Sequence, residues 1–317
     1  MLKYVIGRVL GILPSVFLLV FLVVAMVQLI PGNIIDLMLA DSPSQTLQSR
    51  EELTKELGLD KPLAIRYGTY MVSIVQGDFG RSLWTSKPVS DLIVQYAPPT
   101  IQLAAISIVI GAFTGILLGV VSALKQDSWV DYILRSMAIG GISVPNFAIA
   151  TAAVIFPALL WGIAPNLSYV SFTESPFGNL KILLLPGAIL ALGLSTSLMR
   201  LMRTTMLDVL RQDYIRTARA KGLGEMRVVS HHAVRNAVIP VVTLLGLQIA
   251  FLLGGSVIVE TIFSIPGVGR LLVSSIAKRD YPIVQGIVVV IGLFVMFTNL
   301  LVDLSYGFLD PRIRIGR

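Results

Sequence analysis

The sequence predicts an all-α membrane protein with six transmembrane helices and with both chain ends in the cytoplasm (N-in/C-in). Of its 317 residues, 55% are hydrophobic and 14% are charged, whereas soluble domains carry about 25% charged residues. Apolar runs of about 20 residues, the length that crosses a bilayer as a helix, recur along the chain. The third observation is the distribution of Lys and Arg, which sets the orientation of the spans.

The predicted spans are six apolar segments, namely 9–30, 100–124, 137–163, 182–202, 237–259 and 283–305. The first is too long for the apolar part of a signal peptide and lacks a small-x-small cleavage site, so we interpret it as a retained helix. Pro145, Pro157 and Pro186 lie within spans or at their edges. We expect kinks there, because neighbouring helices can satisfy the carbonyls that proline frees.

The Lys and Arg residues orient these spans. Eight of the 25 lie between Arg200 and Arg235, which places that segment in the cytoplasm. The predicted outside loop 164–181, by contrast, holds only Lys181. Cytoplasmic loops therefore explain the net charge of +7, and we expect the chain to contact membrane lipid and no nucleic acid.

The predicted extracytoplasmic segment 31–99 is too long to be a simple connector. Leu47, Leu53 and Leu57 recur at helix-like spacing among charged residues, and Gly58 offers a C-terminal stop. A turn-rich stretch, 76–92, follows. We expect a small, partly helical subdomain that packs over the outer ends of the spans or docks a partner.

Several kinds of chemistry have no motif in this sequence. The dipeptide Gly-Lys does not occur, so the chain has no P-loop for nucleotide hydrolysis. There is no cysteine, no zinc-protease motif and no G-x-S-x-G nucleophile motif. The only histidines, His231 and His232, are adjacent, and adjacent helical side chains point too far apart to chelate one metal. We expect neither a metal site nor a cofactor site in this chain.

A few polar residues interrupt the predicted spans and are candidates for a translocation path. These candidates are Asn146, Gln248, Gln285 and Asn299. Glu260 and Asp303 lie near span ends, where we expect water or lipid headgroups to reach them. For these polar groups, interhelical packing is the alternative to contact with a solute.

The most cationic stretch, residues 213–236, predicts a helical hairpin. Helical spacing of apolar residues continues from Val209 to Ala218, and Lys221 followed by Gly222 is a helix-stop signature. Gly224 loosens the turn, and Glu225 suits the first turn of a second helix. The apolar stripe of that second helix comprises Met226, Val229 and Ala233. Two amphipathic elements joined by a glycine turn favour a protein socket over a lipid surface, where a single basic amphipathic helix is typical.

With these features in place, the chain resembles a permease subunit of ABC importers, in the first-subunit branch of the dipeptide/oligopeptide/nickel (binding-protein-dependent) family. The resemblance covers nearly the whole chain. Its motifs are LGLDKPLAIRYGTYMVSIVQGDFGRS at 57–82, SVPNF at 143–147, DYIRTARAKGLGE at 213–225, HHAVRNAVIPVVTLLGLQ at 231–248, VETIFSIPGVGRLL at 259–272, RDYPIVQG at 279–286 and DPRIR at 310–314. It implies a type I ABC importer-like fold with an extracytoplasmic insertion between helices 1 and 2.

The resemblance also implies a coupling element that docks in a groove of a cytosolic ATPase subunit. The corresponding residues are Tyr214, Arg216, Thr217, Ala218, Arg219, Ala220, Lys221, Gly222, Leu223, Gly224 and Glu225. The general importer motif, Glu-Ala-Ala-x3-Gly-x9-Ile-x-Leu-Pro, is matched at Gly222 but not at its glutamate, where this chain has Arg216, nor at its proline, where it has Arg235. We therefore do not expect this chain to form the salt bridge that is attributed to that glutamate.

The expected partners follow from the same resemblance. They are a second homologous permease subunit, two cytosolic ATPase subunits that bind ATP and Mg²⁺, and an extracytoplasmic solute-binding protein. The expected location is the plasma membrane of a bacterium or archaeon, and the inner membrane in a Gram-negative cell. The solute is a dipeptide, an oligopeptide, glutathione, a nickel complex or a sugar, because selection lies largely with the binding protein.

These expectations divide the chain into three parts and give one main function. The parts are a first transmembrane helix (1–30), an extracytoplasmic loop subdomain (31–99) and a five-helix permease core (100–317) with a coupling hairpin at 205–236. The main function is that of the pore subunit of an ATP-driven importer, which is not itself an enzyme. The alternative is an ion-coupled secondary transporter or channel, but we find no chain of intramembrane carboxylates and no inverted repeat. A membrane-embedded enzyme would need a catalytic constellation, and none is evident.

Overall fold

The protein is described by a computed structural model that covers residues 2–29, 60–163 and 168–309. The predicted helical pattern at Leu47 to Leu57 lies outside these residues, as does the DPRIR motif at 310–314. The chain divides into two compact units, one comprising 1–97 and 271–297 and the other comprising 98–270 and 298–317. They are called the first and second unit below.

The described residues are helical apart from turns and one isolated antiparallel bridge between Arg81 and Pro88. The α-helices are α1 (Leu2–Leu29), α2 (Leu63–Val75), α3 (Val89–Leu124), α4 (Trp129–Ser143), α5 (Asn146–Trp161), α6 (Pro176–Leu210), α7 (Asp213–Ala220), α8 (Glu225–Arg227), α9 (Arg235–Ile262), α10 (Val268–Ala277) and α11 (Tyr281–Leu309). A π-helical stretch, Val228–Val234, joins α8 to α9 without a break. The predicted all-α class is confirmed.

Five of the described segments are long and apolar enough to cross a membrane, and a sixth span arises if α4 and α5 count as one. The five lie in α1, α3, α6, the continuous helix from Glu225 through α9, and α11. They coincide with five predicted spans, although α3 begins at Val89, well before the predicted start at 100. Pro157 and Pro186 are accommodated inside α5 and α6.

The predicted third span, 137–163, is wrong as a single helix. α4 and α5 meet at an angle of 90°, so Pro145 marks a break and not the kink that the sequence suggested. Proline disfavours the helical conformation of the residue before it, and Val144 is accordingly extended, with φ −97° and ψ 118°. Pro145 itself, with ψ 138°, precedes the first residue of α5, where its missing N–H is not needed.

The first unit contains a small apolar core of α1, α2 and α11. Val20, Val23 and Val24 of α1 are buried with Val289 of α11, and one face of α2 packs on them. In this unit Asp280 is buried and accepts hydrogen bonds from the Ser82 hydroxyl (2.6 Å) and the Leu83 amide (3.2 Å). These contacts fix the turn-rich stretch that follows α2. The helix α2 agrees with the partly helical character expected of this segment, at a position that the leucine pattern did not indicate.

The second unit is organised around α6. Over the most apolar window of α6, 56% of the residues are buried, whereas the other spans are about one-fifth buried. Its buried side chains form one continuous core with residues of α3, α5, α7, α9 and the π-helical stretch. α6 therefore lies in the middle of the second unit, with neighbouring helices covering much of its surface.

Three glycines of α3 allow this helix to approach α6 closely. Gly111, Gly115 and Gly119 are four residues apart and share one face, the small-residue pattern that lets membrane helices pack backbone to backbone. A Cβ placed on Gly115 would lie 2.7 Å from the Ser195 carbonyl oxygen, and one on Gly119 would lie 2.8 Å from the Met199 carbonyl oxygen. Between them, the hydroxyls of Thr114 and Ser195 are 2.8 Å apart and hydrogen-bonded.

Glu260 is fully buried, so the expectation that water or headgroups reach it is wrong. Its carboxylate accepts hydrogen bonds from the Thr100 hydroxyl (2.8 Å) and the Arg270 amide (3.1 Å). The Thr100 hydroxyl in turn accepts from the Val268 amide (2.9 Å). The last turn of α9, the first turn of α10 and a residue of α3 are thereby tied together. A carboxylate is suited to this position, because the first amides of a helix have no partners within the helix.

The packing of α3 on α6 predicts unequal effects of two glycine substitutions. Gly115→Ala places a methyl group against a backbone carbonyl, and such overpacking costs about 1–3 kcal/mol. Gly140→Ala on α4 meets no atom within 4 Å and should stabilise the helix by up to about 1 kcal/mol. Thermal unfolding of both purified variants in detergent should give a lower melting temperature for Gly115→Ala only. Equal melting temperatures would show that α3 and α6 are not in such close contact.

Candidate coupling hairpin and cavity

The first arm of the hairpin is α7, a two-turn helix that is separated from α6. The spacing from Val209 to Ala218 suggested one helix, but α6 ends at Leu210, and the chain is extended at Gln212, with ψ 148°. α7 then begins in a new direction. Ile215 and Ala218 are buried, which confirms the inward stripe of this arm, whereas Tyr214 is exposed.

The turn at Gly222 has the geometry that the sequence predicts. Gly222 has φ +79°, the left-handed conformation that glycine adopts without steric cost. Its amide donates to the Arg219 carbonyl (2.9 Å), and the Leu223 amide donates to the Ala218 carbonyl (3.4 Å). These two bonds form a Schellman motif that satisfies the last carbonyls of α7. A Cβ on Gly222 would meet no atom within 4 Å, so backbone conformation alone constrains this position.

An ion pair closes the hairpin across this turn. Arg219 donates through Nε to Glu225 Oε2 (3.1 Å) and through Nη2 to Oε1 (2.6 Å). Both side chains are partly exposed, so the pair adds little to stability, but the two-pronged contact fixes the relative direction of α7 and α8. The hydrogen bond to Glu225 raises the pKa of Arg219. This ion pair was not predicted from the sequence, although opposite charges on either side of a predicted glycine turn are the signal for it.

The second arm differs from the separate short helix that was expected. α8 continues through the π-helical stretch into α9 as one uninterrupted element. Val228 and Ala233 are buried, but Met226, which was expected on the inner stripe, is 86% exposed. The wider π-helical turn changes the phase of the helix, so Val228 faces the core and Met226 is left at the tip of the hairpin.

Both arms are anchored in the core of the second unit. Ile215, Ala218 and Val228 belong to the same apolar cluster as Met202 and Met206 of α6. The Asn236 amide bridges the arms by donating to the Tyr214 hydroxyl (3.1 Å) and the His232 carbonyl (2.8 Å). The Thr205 hydroxyl of α6 donates to the Ala237 carbonyl of α9 (3.0 Å). The hairpin is thus attached to both helices from which it projects and can move with them as one body.

The outer surface of the hairpin combines basic groups with an apolar tip. Arg211 just before the first arm, Arg216 on it and Lys221 at the turn are exposed, as is Met226 at the tip. Arg216 makes only a marginal contact with the exposed Asp213, at 3.4 Å. A flexible apolar side chain inside a basic rim is suited to a complementary protein groove with acidic edges.

A second candidate site is a cavity of about 390 Å³ at the break between α4 and α5. Its polar lining residues are Asn146 at the start of α5, Ser197 of α6 and Gln248 of α9. Gly193 of α6 leaves room beside Asn146, because its absent Cβ would lie 3.8 Å from Asn146 Nδ2. Among the described residues that line the cavity, none is charged. The site can therefore offer hydrogen bonds to a solute without selecting for its net charge.

The structure brings together two of the four predicted path residues. Asn146 and Gln248 face the same cavity, and within the described part of the chain neither side chain has a hydrogen-bond partner. Gln285 belongs to the first unit and Asn299 is exposed on α11, and neither lines this cavity. Their role stays a prediction. Ser197 was missed, although a hydroxyl one turn from Gly193 in an apolar span is a signal for it. In residues 2–29, 60–163 and 168–309, no three acidic or histidine side chains cluster as metal ligands would.

Comparison with known proteins agrees with this architecture. Residues 115–315 match the family described as the inner membrane component of binding-protein-dependent transport systems, and residues 1–104 match its N-terminal family. A protein of Brucella abortus (strain 2308), named as the permease of a peptide transport system, is 42% identical over 310 residues, covering 98% of both chains. The glutathione transport system permease GsiC of Escherichia coli (strain K12) is 38% identical over 314 residues, covering 99% of both chains.

A comparison with a solved structure supports the fold, and only the fold. The crystal structure of an amino acid ABC transporter with histidines superimposes with a TM-score of 0.52 over 68% of this chain and 93% of that chain, at 14% identity. This likeness confirms the predicted type I importer-like permease fold. Together with the two family matches, which cover nearly the whole sequence, it identifies the chain as a multi-pass inner membrane permease of the binding-protein-dependent ABC importer family.

Proposed function

We propose that this chain is the transmembrane pore subunit of an ATP-driven importer of peptides or related small solutes. The observation that carries the proposal is the hairpin α7–α8. It is exposed at its tip, closed by the Schellman turn at Gly222 and anchored in the core beside α6 and α9. Such an element transmits a force applied at its tip to the helices that hold it.

In this proposal the hairpin docks on a cytosolic ATPase subunit. The docking residues are the predicted set, Tyr214 and residues 216–225, except Ala218, which is buried in the core. Met226 is added because it is the most exposed apolar side chain of the hairpin. The basic rim mainly accelerates association with an acidic groove, and burial of Met226 supplies apolar contact. ATP and Mg²⁺ bind to the ATPase subunits, and a second homologous permease and an extracytoplasmic binding protein complete the complex. The complex resides in the inner membrane of a bacterium.

The uncharged cavity supports peptides or glutathione as the solute class. Relatives are named for peptide and glutathione transport, and solutes of both kinds contain amide groups. The carboxamides of Asn146 and Gln248 can donate to and accept from such amides, whatever side chains the solute carries. Alternating access then follows from movement of the cavity walls when the ATPase dimer closes and displaces the hairpin.

Reconstitution in proteoliposomes tests this proposal. The purified chain alone should show no ATP hydrolysis above background. Assembled with its cognate subunits, it should support hydrolysis that the loaded binding protein stimulates, together with uptake of that protein's peptide ligand. Uptake by the chain alone, driven by an ion gradient and without ATP, would contradict the proposal and favour a secondary transporter.

The left-handed turn at Gly222 should matter for coupling to the ATPase but little for the stability of the chain. Gly222→Val forces a β-branched residue into a left-handed conformation, at a cost of about 1–2 kcal/mol, and this cost falls on an exposed turn. We expect near-normal amounts in the membrane, weaker co-purification of the ATPase and loss of uptake. Gly224, with φ −59° and no neighbour within 4 Å, provides the matched control. Gly224→Ala should retain most of the uptake, and normal uptake by Gly222→Val would rule out this turn as the coupling element.

A further inference from the structure

A buried ion pair joins α4 to α6 outside the two sites described above. Asp131 is fully buried, and its carboxylate accepts two hydrogen bonds from Arg203. Arg203 Nε donates to Oδ1 (2.8 Å), and Nη2 donates to Oδ2 (2.7 Å). The Ser122 hydroxyl of α3 donates to Oδ1, and the Asp127 amide donates to Oδ2 (3.1 Å). Both oxygens therefore receive two hydrogen bonds each. A carboxylate saturated in this way, and held by a two-pronged guanidinium, tolerates little change in geometry.

The position of Arg203 connects this pair to the hairpin. Arg203 lies two turns before the end of α6, between Met202 and Met206, which belong to the same apolar core as Ile215 and Ala218 of α7. Thr205, two residues further on, holds the start of α9. Any displacement of the hairpin that moves the last turns of α6 therefore moves the guanidinium of Arg203.

The position of Asp131 connects the pair to the cavity. Asp131 lies in the first turn of α4, whose last turn supplies Gly141 and Ile142 to the cavity wall. α4 packs along α6, and Asp131 and Ala138 are its buried residues. A displacement of Asp131 is therefore carried along α4 to the break at Pro145.

We infer that Arg203 and Asp131 are positioning residues that connect the coupling hairpin to α4, and through α4 to the wall of the translocation cavity. The inference rests on the proposed function. The pair then transmits movement, because removing one partner leaves a buried charge and loosens the first turn of α4 while the contacts that hold the hairpin stay in place. ATP hydrolysis should then continue without productive movement of the cavity wall.

Transport per ATP hydrolysed by the complete complex in proteoliposomes tests this inference. Asp131→Asn and Arg203→Gln should bind the ATPase as the wild type does but transport about tenfold less solute per ATP, a typical coupling magnitude. Arg203→Lys keeps the charge and loses the two-pronged contact, so it should be intermediate and should preserve the fold if the other variants do not accumulate. Arg200→Gln is the matched control, because Arg200 lies three residues before Arg203 on α6 and is exposed. This control should couple normally.

A distance measurement separates a mechanical role from a merely structural one. The chain has no cysteine, so spin labels at Tyr132→Cys on α4 and Ser230→Cys on the hairpin side can be used with cysteine-free partners. The two labels should keep one narrow distance with and without ATP in the otherwise wild-type chain, and the distance should broaden in Asp131→Asn. Normal transport per ATP in Asp131→Asn and Arg203→Gln, or a narrow label distance in Asp131→Asn, would overturn the inference. Absence of ATP-driven uptake in the wild-type complex would instead contradict the proposed function on which it rests.

Discussion

Close packing on α6 is the constraint on which the second unit depends. Leu183, Leu194 and Leu198 are buried on a helix that neighbours cover along much of its length, and the glycines of α3 bring one of those neighbours to backbone distance. Interiors packed in this way move as rigid bodies and do not deform smoothly. The hairpin at one end of α6 and the cavity beside its middle are therefore both built on this one packed helix. Hydrophobic burial drives none of this association in lipid, so shape and interhelical hydrogen bonds such as Thr114–Ser195 carry more weight.

Polar groups mark the places where this apolar bundle is joined. Glu260 binds the amides at the start of α10, Asp131 binds the guanidinium of Arg203, and Asn236 joins the two arms of the hairpin. Each group has partners for its hydrogen bonds, as burial in a low-dielectric interior requires. The cavity is the contrast, because the carboxamides of Asn146 and Gln248 are left without partners in the described part of the chain. Polar groups that have hydrogen-bond partners hold the fold, and the two carboxamides that lack them are available to a solute.

Local signals in the sequence predicted the features that local physics determines. Apolar length predicted the spans, and Lys221 followed by Gly222 predicted a helix end whose left-handed φ depends on one residue. The 90° break was underestimated, because whether Pro145 bends or breaks a helix depends on which neighbours receive the freed carbonyls. The phase change at Val228–Val234 was missed, because a π-helix has no marker in the side-chain pattern, and Met226 was assigned to the wrong face as a result. The partners of Glu260 and Asp131 lie up to 160 positions away in sequence, and a single sequence contains no signal for such long-range pairs.

The central claim is that the hairpin tip meets a cytosolic ATPase, and photo-crosslinking from Met226 tests it most directly. A benzophenone amino acid at Met226 changes an exposed side chain that packs on nothing in the core, so assembly should be preserved. Irradiation of membranes that contain the complete complex should produce an adduct between this chain and the ATPase subunit. The same probe at the exposed Phe172, in the predicted outside loop, should produce none. An adduct from Met226 to lipid or to the extracytoplasmic binding protein, with none to the ATPase, would contradict both the orientation and the coupling role.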